Sequence, residues 1–286
     1  MPTFAVNGTH LSYTITGNAG PPLVLVHGSW ADHRDWELVI PGFAQNHRVL
    51  AYDRRGHSRS EHEPTVDGIA ADVVNLASMI ETLDLTPAHV VGLSAGGCIA
   101  LQLAGQRPEL VRSLSVHEPP LVGLVAGDAE HGPLMQDVIA RIEGVVARLE
   151  AGDGEGGARL FVESLVLGPG AWEMIPPEWR RHMVDNAATF LSDARDPALL
   201  TVDLASLAMT AIPTLLTSGN QSPGWFAQIM SALEAGLPHA SRYRFDGAGH
   251  LPMKTHVDEY VATLTAFFAT PDAVLAVSPE VRANAV

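Results

Sequence analysis

Ser94 lies in the run "VVGLSAGG" (residues 90–97), between an apolar stretch and a row of small residues. A serine hydroxyl becomes a useful nucleophile only when a base stands within reach of its proton. The spacing Gly92-x-Ser94-x-Gly96, set between a strand and a helix, is that of a nucleophile elbow. Such a serine takes a strained backbone conformation, so its neighbours must be small. Gly92 and Gly96 supply that room, and Ala95 and Gly97 keep the rest slim. The bend lifts the hydroxyl above a sheet edge and places it at a helix N-terminus, where free N–H groups favour negative charge.

The elements that would position this serine are legible on either side of it. Residues 4–16 alternate around Asn7-Gly8, a hairpin signal. "PLVLVHG", "RVLAYD" (48–53), "AHVVGLS" and "LVRSLSVHEPP" (110–120) are short apolar runs. Helical patterns separate them, as at 65–85 and in the small-residue stretch stopped by Pro108. Strands apolar on both faces, alternating with helices, predict a parallel sheet covered on both sides. From residue 121 to about 210 the pattern is helical only, in "LMQDVIARIEGVVARLEAG", "GARLFVESLVLG" and "PPEWRRHMVDNAATFLSDARDP". The alternation resumes with "IPTLLTSG" (212–219), a helix at about 224–236, "SRYRFDG" and a helix at about 255–269; the tail after Pro271 has no assigned role. The expected fold class is α/β, a mostly parallel doubly wound sheet. Residues 1–120 and 211–286 form the core, and 121–210 form an inserted helical cap.

"HGSW" (27–30), "DRRGHSRS" (53–60), "GLSAGG" (92–97) and "GAGH" (247–250) follow one another in that order. By these residues the chain resembles the α/β-hydrolase-fold serine hydrolases with a helical cap, over about 4–268. One departure is His57, where the family usually has glycine. The resemblance implies an oxyanion hole formed by the N–H of Ala95, after the nucleophile, and that of Ser29, after His-Gly. It gives Trp30 a place lining the acyl pocket and makes His27 structural.

The family order, nucleophile then acid then histidine, calls for a histidine after the last strand, and "FDGAGHLP" supplies His250. His239 precedes that strand, and His256 falls in the final helical pattern. The acid that orients the histidine is in much of this family an Asp in the loop after the strand following the cap. Here that loop reads "TSGNQSPGW" and carries no carboxylate. Some members place the acid one strand earlier, which points to Glu118, at the end of "LSVHEPP" beside Pro119-Pro120. Asp246, four residues before His250, is the chief rival and Asp203 a more distant one.

The reaction this implies is two-step hydrolysis, through an acyl-enzyme, of an ester or lactone of a small, fairly apolar molecule. Carbon–carbon bond hydrolysis by the same triad and a ligand receptor with slow turnover are the alternatives. A hydroxynitrile-lyase-like enzyme would want a cap lysine, and residues 121–210 contain none. No cofactor or metal is implied, and a serine nucleophile argues against the aspartate-using dehalogenase and epoxide-hydrolase branches. The arginines of "DRRGHSRS" suggest internal pairing rather than an anion site. Cys98 reads as a packed apolar residue, and Trp172, Met174, Trp179, Met183 and Phe190 as the cap's own core with some of them roofing a pocket.

The bulk composition agrees. The 286 residues are 47% apolar, enough for a sizeable core. The charge balance is 17 − 32 = −15, which repels phosphate backbones and argues against nucleic acid as partner. The 13 histidines show no metal-ligand spacing, and the single cysteine forms no intrachain disulfide. No leader-like segment and no membrane-length apolar run is seen. The expectation is a soluble cytoplasmic protein acting on a small molecule without membrane or nucleic-acid partners.

Overall fold

A computed structural model describes residues 1–61 and 68–269. Eight strands form one sheet: β1 (Thr3–Val6), β2 (Thr9–Thr16), β3 (Pro22–Val26), β4 (Arg48–Tyr52), β5 (Ala88–Leu93), β6 (Val111–His117), β7 (Thr214–Gly219) and β8 (Ala240–Phe245). Their spatial order is β1-β2-β4-β3-β5-β6-β7-β8. The first hairpin turns at Asn7-Gly8, both with positive φ, and leaves β2 antiparallel to β1 and to β4. All other neighbours are parallel.

The period-2 geometry of a strand explains why the β3 and β4 runs had to be apolar on both faces. Leu23 and Leu25 enter the hydrophobic cluster on one face of the sheet, while Val24 and Val26 enter the cluster on the other. β4 divides in the same way, Val49 and Ala51 against Leu50 and Tyr52. The Gly68–Thr82, Ala95–Gln106 and Gly224–Gly236 helices cover one face. Val257–Ala269 covers the other, with Trp36, Val39 and Phe43. Residues 65–67 of the helix expected at 65–85, and the tail after Pro271, lie outside the described residues.

Between β6 and β7 every regular element is helical, as expected, but two boundaries differ. The helix expected across "PPEWRRHMVDNAATFLSDARDP" is two, Pro177–Asp185 and Ala187–Arg195, broken at Asn186. The Asn186 amide donates to the carbonyls of Trp30 and Ala31, at 3.3 and 3.1 Å, and its oxygen accepts from Ser58 N–H at 2.9 Å. That side chain is therefore committed to the core. The helix expected over "GARLFVESLVLG" runs α-helically from Gly154 to Phe161 and then widens into a π turn, Val162–Val166. His256 stands at the head of the last helix rather than within it.

Candidate active site

Ser94 joins β5 to the Ala95–Gln106 helix at φ 53°, ψ −120°, a conformation that L-residues rarely adopt. The surroundings over-determine it. A Cβ on Gly92 would lie 2.3 Å from the Gly96 carbonyl oxygen, and one on Gly96 would lie 2.2 Å from that of Val26. The Ser94 N–H donates to the His117 carbonyl at 2.9 Å, and its own carbonyl accepts from Gly97 N–H at 2.8 Å. The elbow is thus fastened between β3 and β6.

His250 and Glu118 meet directly. His250 Nδ1 lies 2.7 Å from Glu118 Oε2, and both side chains are almost wholly buried. Glu118 follows β6 directly and has a positive φ of 45°. Gly219 N–H donates to Oε1 at 2.9 Å and the Ser222 hydroxyl to Oε2 at 2.8 Å. Burial alone would raise the Glu118 carboxyl. The histidines at 117 and 250 outweigh it and hold the group well below the usual carboxylate range. Because an ionised carboxylate only accepts, His250 Nδ1 carries the proton and Nε2 is left free for other partners. Phe226 stacks on the His250 ring with centroids 4.7 Å apart and planes at 16°, and Trp225 stacks on Phe226 at 3.6 Å. Trp225 Nε1 donates to the Leu165 carbonyl, inside the π turn, at 3.2 Å.

The rivals lie elsewhere. Asp246 is exposed and hydrogen-bonds the Asn220 amide. Asp203 caps the Leu204–Ala208 helix. His239 is exposed, and His256 pairs with the Thr255 hydroxyl. His27 is built into the core: its Nε2 accepts from Arg54 N–H at 2.9 Å.

Ser29 and Ser94 together line a cavity of about 30 Å³. The rest of its wall is apolar, from Pro120, Trp225 and Phe226 of the core and Ile142, Phe161, Leu165, Val166, Phe190 and Leu199 of the inserted segment. Ala95 follows Ser94 as the first residue of its helix, where the N–H has no intrahelical acceptor. Trp30 stands one layer behind this wall. It is 1% exposed and packs on Phe190 and Phe161, with centroids 5.1 and 5.5 Å apart, so it supports the lining rather than forming it. Of the aromatic and methionine residues between β6 and β7, Phe190 roofs the cavity and Trp172 is buried, whereas Met174 is 85% exposed.

A sequence model described as alpha/beta hydrolase fold matches residues 21–257. The chain belongs to the α/β-hydrolase family. Solved structures agree on the fold. An α/β hydrolase of Sphaerobacter thermophilus is 24% identical with TM-score 0.75, covering 93% of this chain and 100% of its own. The enol-lactonase of Burkholderia xenovorans is 20% identical with TM-score 0.75, covering 94% and 100%. Among curated relatives, an uncharacterized hydrolase of Bacillus subtilis is 34% identical over 44% of this chain and 47% of its own. A putative carbamate hydrolase of Azorhizobium caulinodans is 33% identical over 41% and 43%. The matched stretch spans about a third to a half of the length of the curated relatives it matches.

In this α/β hydrolase the "DRRGHSRS" loop is tied to the inserted helices. Arg54 is fully buried between Asp72 on the Gly68–Thr82 helix, at 2.7 Å, and Asp193 on Ala187–Arg195, at 2.8 Å. Two carboxylates share one guanidinium in a buried site, and burial pushes Asp193 up to about 6 even against the Arg54 charge. His57, the departure from the family pattern, bonds the Thr189 hydroxyl at 2.9 Å. Burial and the adjacent Arg54 keep its ring neutral. Cys98 is packed as expected, its thiol pushed up by burial. Among the described residues no helix is long and apolar enough to cross a membrane.

Proposed function

We propose that this α/β hydrolase is a serine hydrolase that cleaves a carboxylic ester or lactone of a small, uncharged molecule through an acyl-enzyme. The 2.7 Å pairing of His250 Nδ1 with Glu118 Oε2, together with the strained Ser94 whose N–H is held by the carbonyl of His117, the residue before Glu118, carries the reading. It fixes the tautomer in which His250 Nε2 is free to take the Ser94 proton. Ser94 attacks the carbonyl, and the N–H groups of Ser29 and Ala95 receive the oxyanion. His250 then protonates the leaving group and activates water for the second step. Glu118 stays ionised and stabilises the imidazolium.

The apolar lining supports an uncharged substrate, because no ionised side chain would balance a charge brought into that wall. The cavity has room for about two waters. A substrate larger than this needs the walls to yield, and six of the lining residues come from the helical segment between β6 and β7, so a role for that segment as a cap that gates turnover belongs to the same reading. A cytoplasmic location belongs to the same reading and rests on the single cysteine.

The test is hydrolysis of a chain-length series of p-nitrophenyl esters, with lactones alongside, by wild type and Ser94→Ala. Turnover by wild type, lowered at least about 10⁴-fold in a folded Ser94→Ala, is the expected result. Wild-type inertness toward every ester and lactone would overturn the substrate assignment.

A further inference from the structure

His117 is a buried titratable side chain that the proposed mechanism leaves unused. It is 1% exposed at the end of β6, directly before Glu118. Its Nδ1 lies 3.0 Å from the hydroxyl of Thr217, its partner in the β6–β7 register. Its Nε2 has no hydrogen-bond partner and lies 3.5 Å from Glu118 Oε2, the oxygen that also faces His250. Its ring is 5.9 Å from that of His250 and 6.3 Å from that of Phe245.

Tautomer arithmetic decides what this nitrogen does. With the proton on Nδ1, a bare Nε2 lone pair would face an anionic oxygen in a buried site, which is repulsive. With Thr217 donating its hydroxyl proton to Nδ1, the ring proton sits on Nε2 and points at the carboxylate. Thr217 Oγ1 also lies 3.3 Å from the Val116 carbonyl, so its one proton has two acceptors within reach. With a neutral ring, spending that proton on Nδ1 is the arrangement that sets an N–H rather than a lone pair against the carboxylate. The 3.5 Å gap is at the long edge of a hydrogen bond, so the N–H acts chiefly as an oriented dipole. Burial keeps the ring toward its neutral form, with Glu118 pulling the other way. Among the described residues, the titratable groups acting on it are Glu118 and His250; Thr217 and Phe245, also packed against it, are neutral.

We infer that His117 is a positioning residue for the acid, holding the Glu118 carboxylate with an Nε2–H whose place is set by Thr217. This rests on the reading of Glu118 as the partner of the base. It explains how one short segment serves both ends of the site: the His117 carbonyl holds the Ser94 N–H, and its ring steadies Glu118. It also tunes the base. A donor shared by Glu118 weakens the carboxylate's pull on the His250 proton. Removing it strengthens that pull and favours the imidazolium.

Proton NMR of the low-field His250 Nδ1–H, identified by its loss in Glu118→Gln, tests this without any substrate. The His250 Nδ1–H signal should persist to higher pH in His117→Leu than in wild type and be unchanged in His117→Gln, whose amide N–H reaches the Nε2 position. Thr217→Val, which frees the tautomer, should also raise this pH limit, and it carries the test if His117→Leu does not fold. No movement in the leucine and valine variants overturns the inference. Equal movement in the leucine and glutamine variants does so too, since shape rather than the N–H would then be responsible. The acid limb of kcat/KM on esters should move with that limit. A limit that moves in an enzyme inert toward all acyl substrates would sink the hydrolase reading and leave the His117 role standing.

Discussion

The Ser222 hydroxyl donates to Glu118 Oε2 at 2.8 Å, across the gap between the ends of β7 and β6. The end of β7 and its loop, where much of the family carries its acid, here supply donors to the Glu118 carboxylate at the end of the neighbouring strand. Gly219 N–H and Ser222 Oγ–H reach one oxygen each, so the carboxylate is fixed in plane as well as in charge. Ser222→Ala is expected to lower kcat/KM about tenfold, the scale of one charge-assisted hydrogen bond, with KM little changed. Steady-state kinetics on the best p-nitrophenyl ester measure it.

Glu118→Gln removes the charge that stabilises the His250 imidazolium and presents an amide where an acceptor is needed. Turnover should fall by about 10³–10⁴-fold. Asp246→Asn is the matched control: the side chain is exposed and turned to Asn220, so activity should stay within about twofold. If the two variants behaved the other way round, the acid would be Asp246.

Phe190 roofs the cavity with Trp30 stacked behind it. Phe190→Ala should move the preferred acyl chain to greater length, at a stability cost of about 3–5 kcal/mol. Chain-length profiles and urea midpoints, measured on the same preparations, read both effects. An unchanged profile would mean that the acyl group lies elsewhere.

Asp193, pushed up to about 6, sets a pH signature of stability. For a carboxyl raised above its unfolded value of 3.8, the folded state holds a proton that the unfolded state has lost. That contribution is complete below about pH 4 and is lost as pH rises through about 6. Asp193→Asn cannot titrate, so its stability relative to wild type should increase between pH 4 and 6 and level off above, by roughly 2–3 kcal/mol in total. Thermal melts across that range would show a flat difference if Asp193 were ordinary.

The middle of the sheet was legible because β3, β4 and β5 are apolar on both faces, a demand set by burial between two helical layers. Ser94 was legible because strain at one residue forces smallness on its neighbours, and that leaves a local mark. The pairing of Glu118 with His250 was expected from the family resemblance, in which some members carry the acid one strand before the usual loop, a loop that here has no carboxylate. The break at Asn186 and the π turn at Val162–Val166 left no such mark. Asn186 ends a helix because its amide is spent on Trp30 and Ala31, more than 150 residues earlier. The Phe226 stack on His250 and the approach of His117 to Glu118 are likewise facts of tertiary placement. A histidine or phenylalanine in a buried element has the same sequence context whatever its ring touches.

Arg54 has a consequence for how this scaffold changes by recombination. Its guanidinium is divided between Asp72, which the core supplies, and Asp193, which the inserted helices supply. A chimera that grafts a foreign insertion onto this core would strand a fully buried cation with half its counter-charge, while Trp30 and Ala31 would lose the amide that satisfies their carbonyls. The two parts are therefore not interchangeable modules. A viable graft must carry an acid at the Asp193 place and an amide at the Asn186 place, whatever else it changes over the substrate.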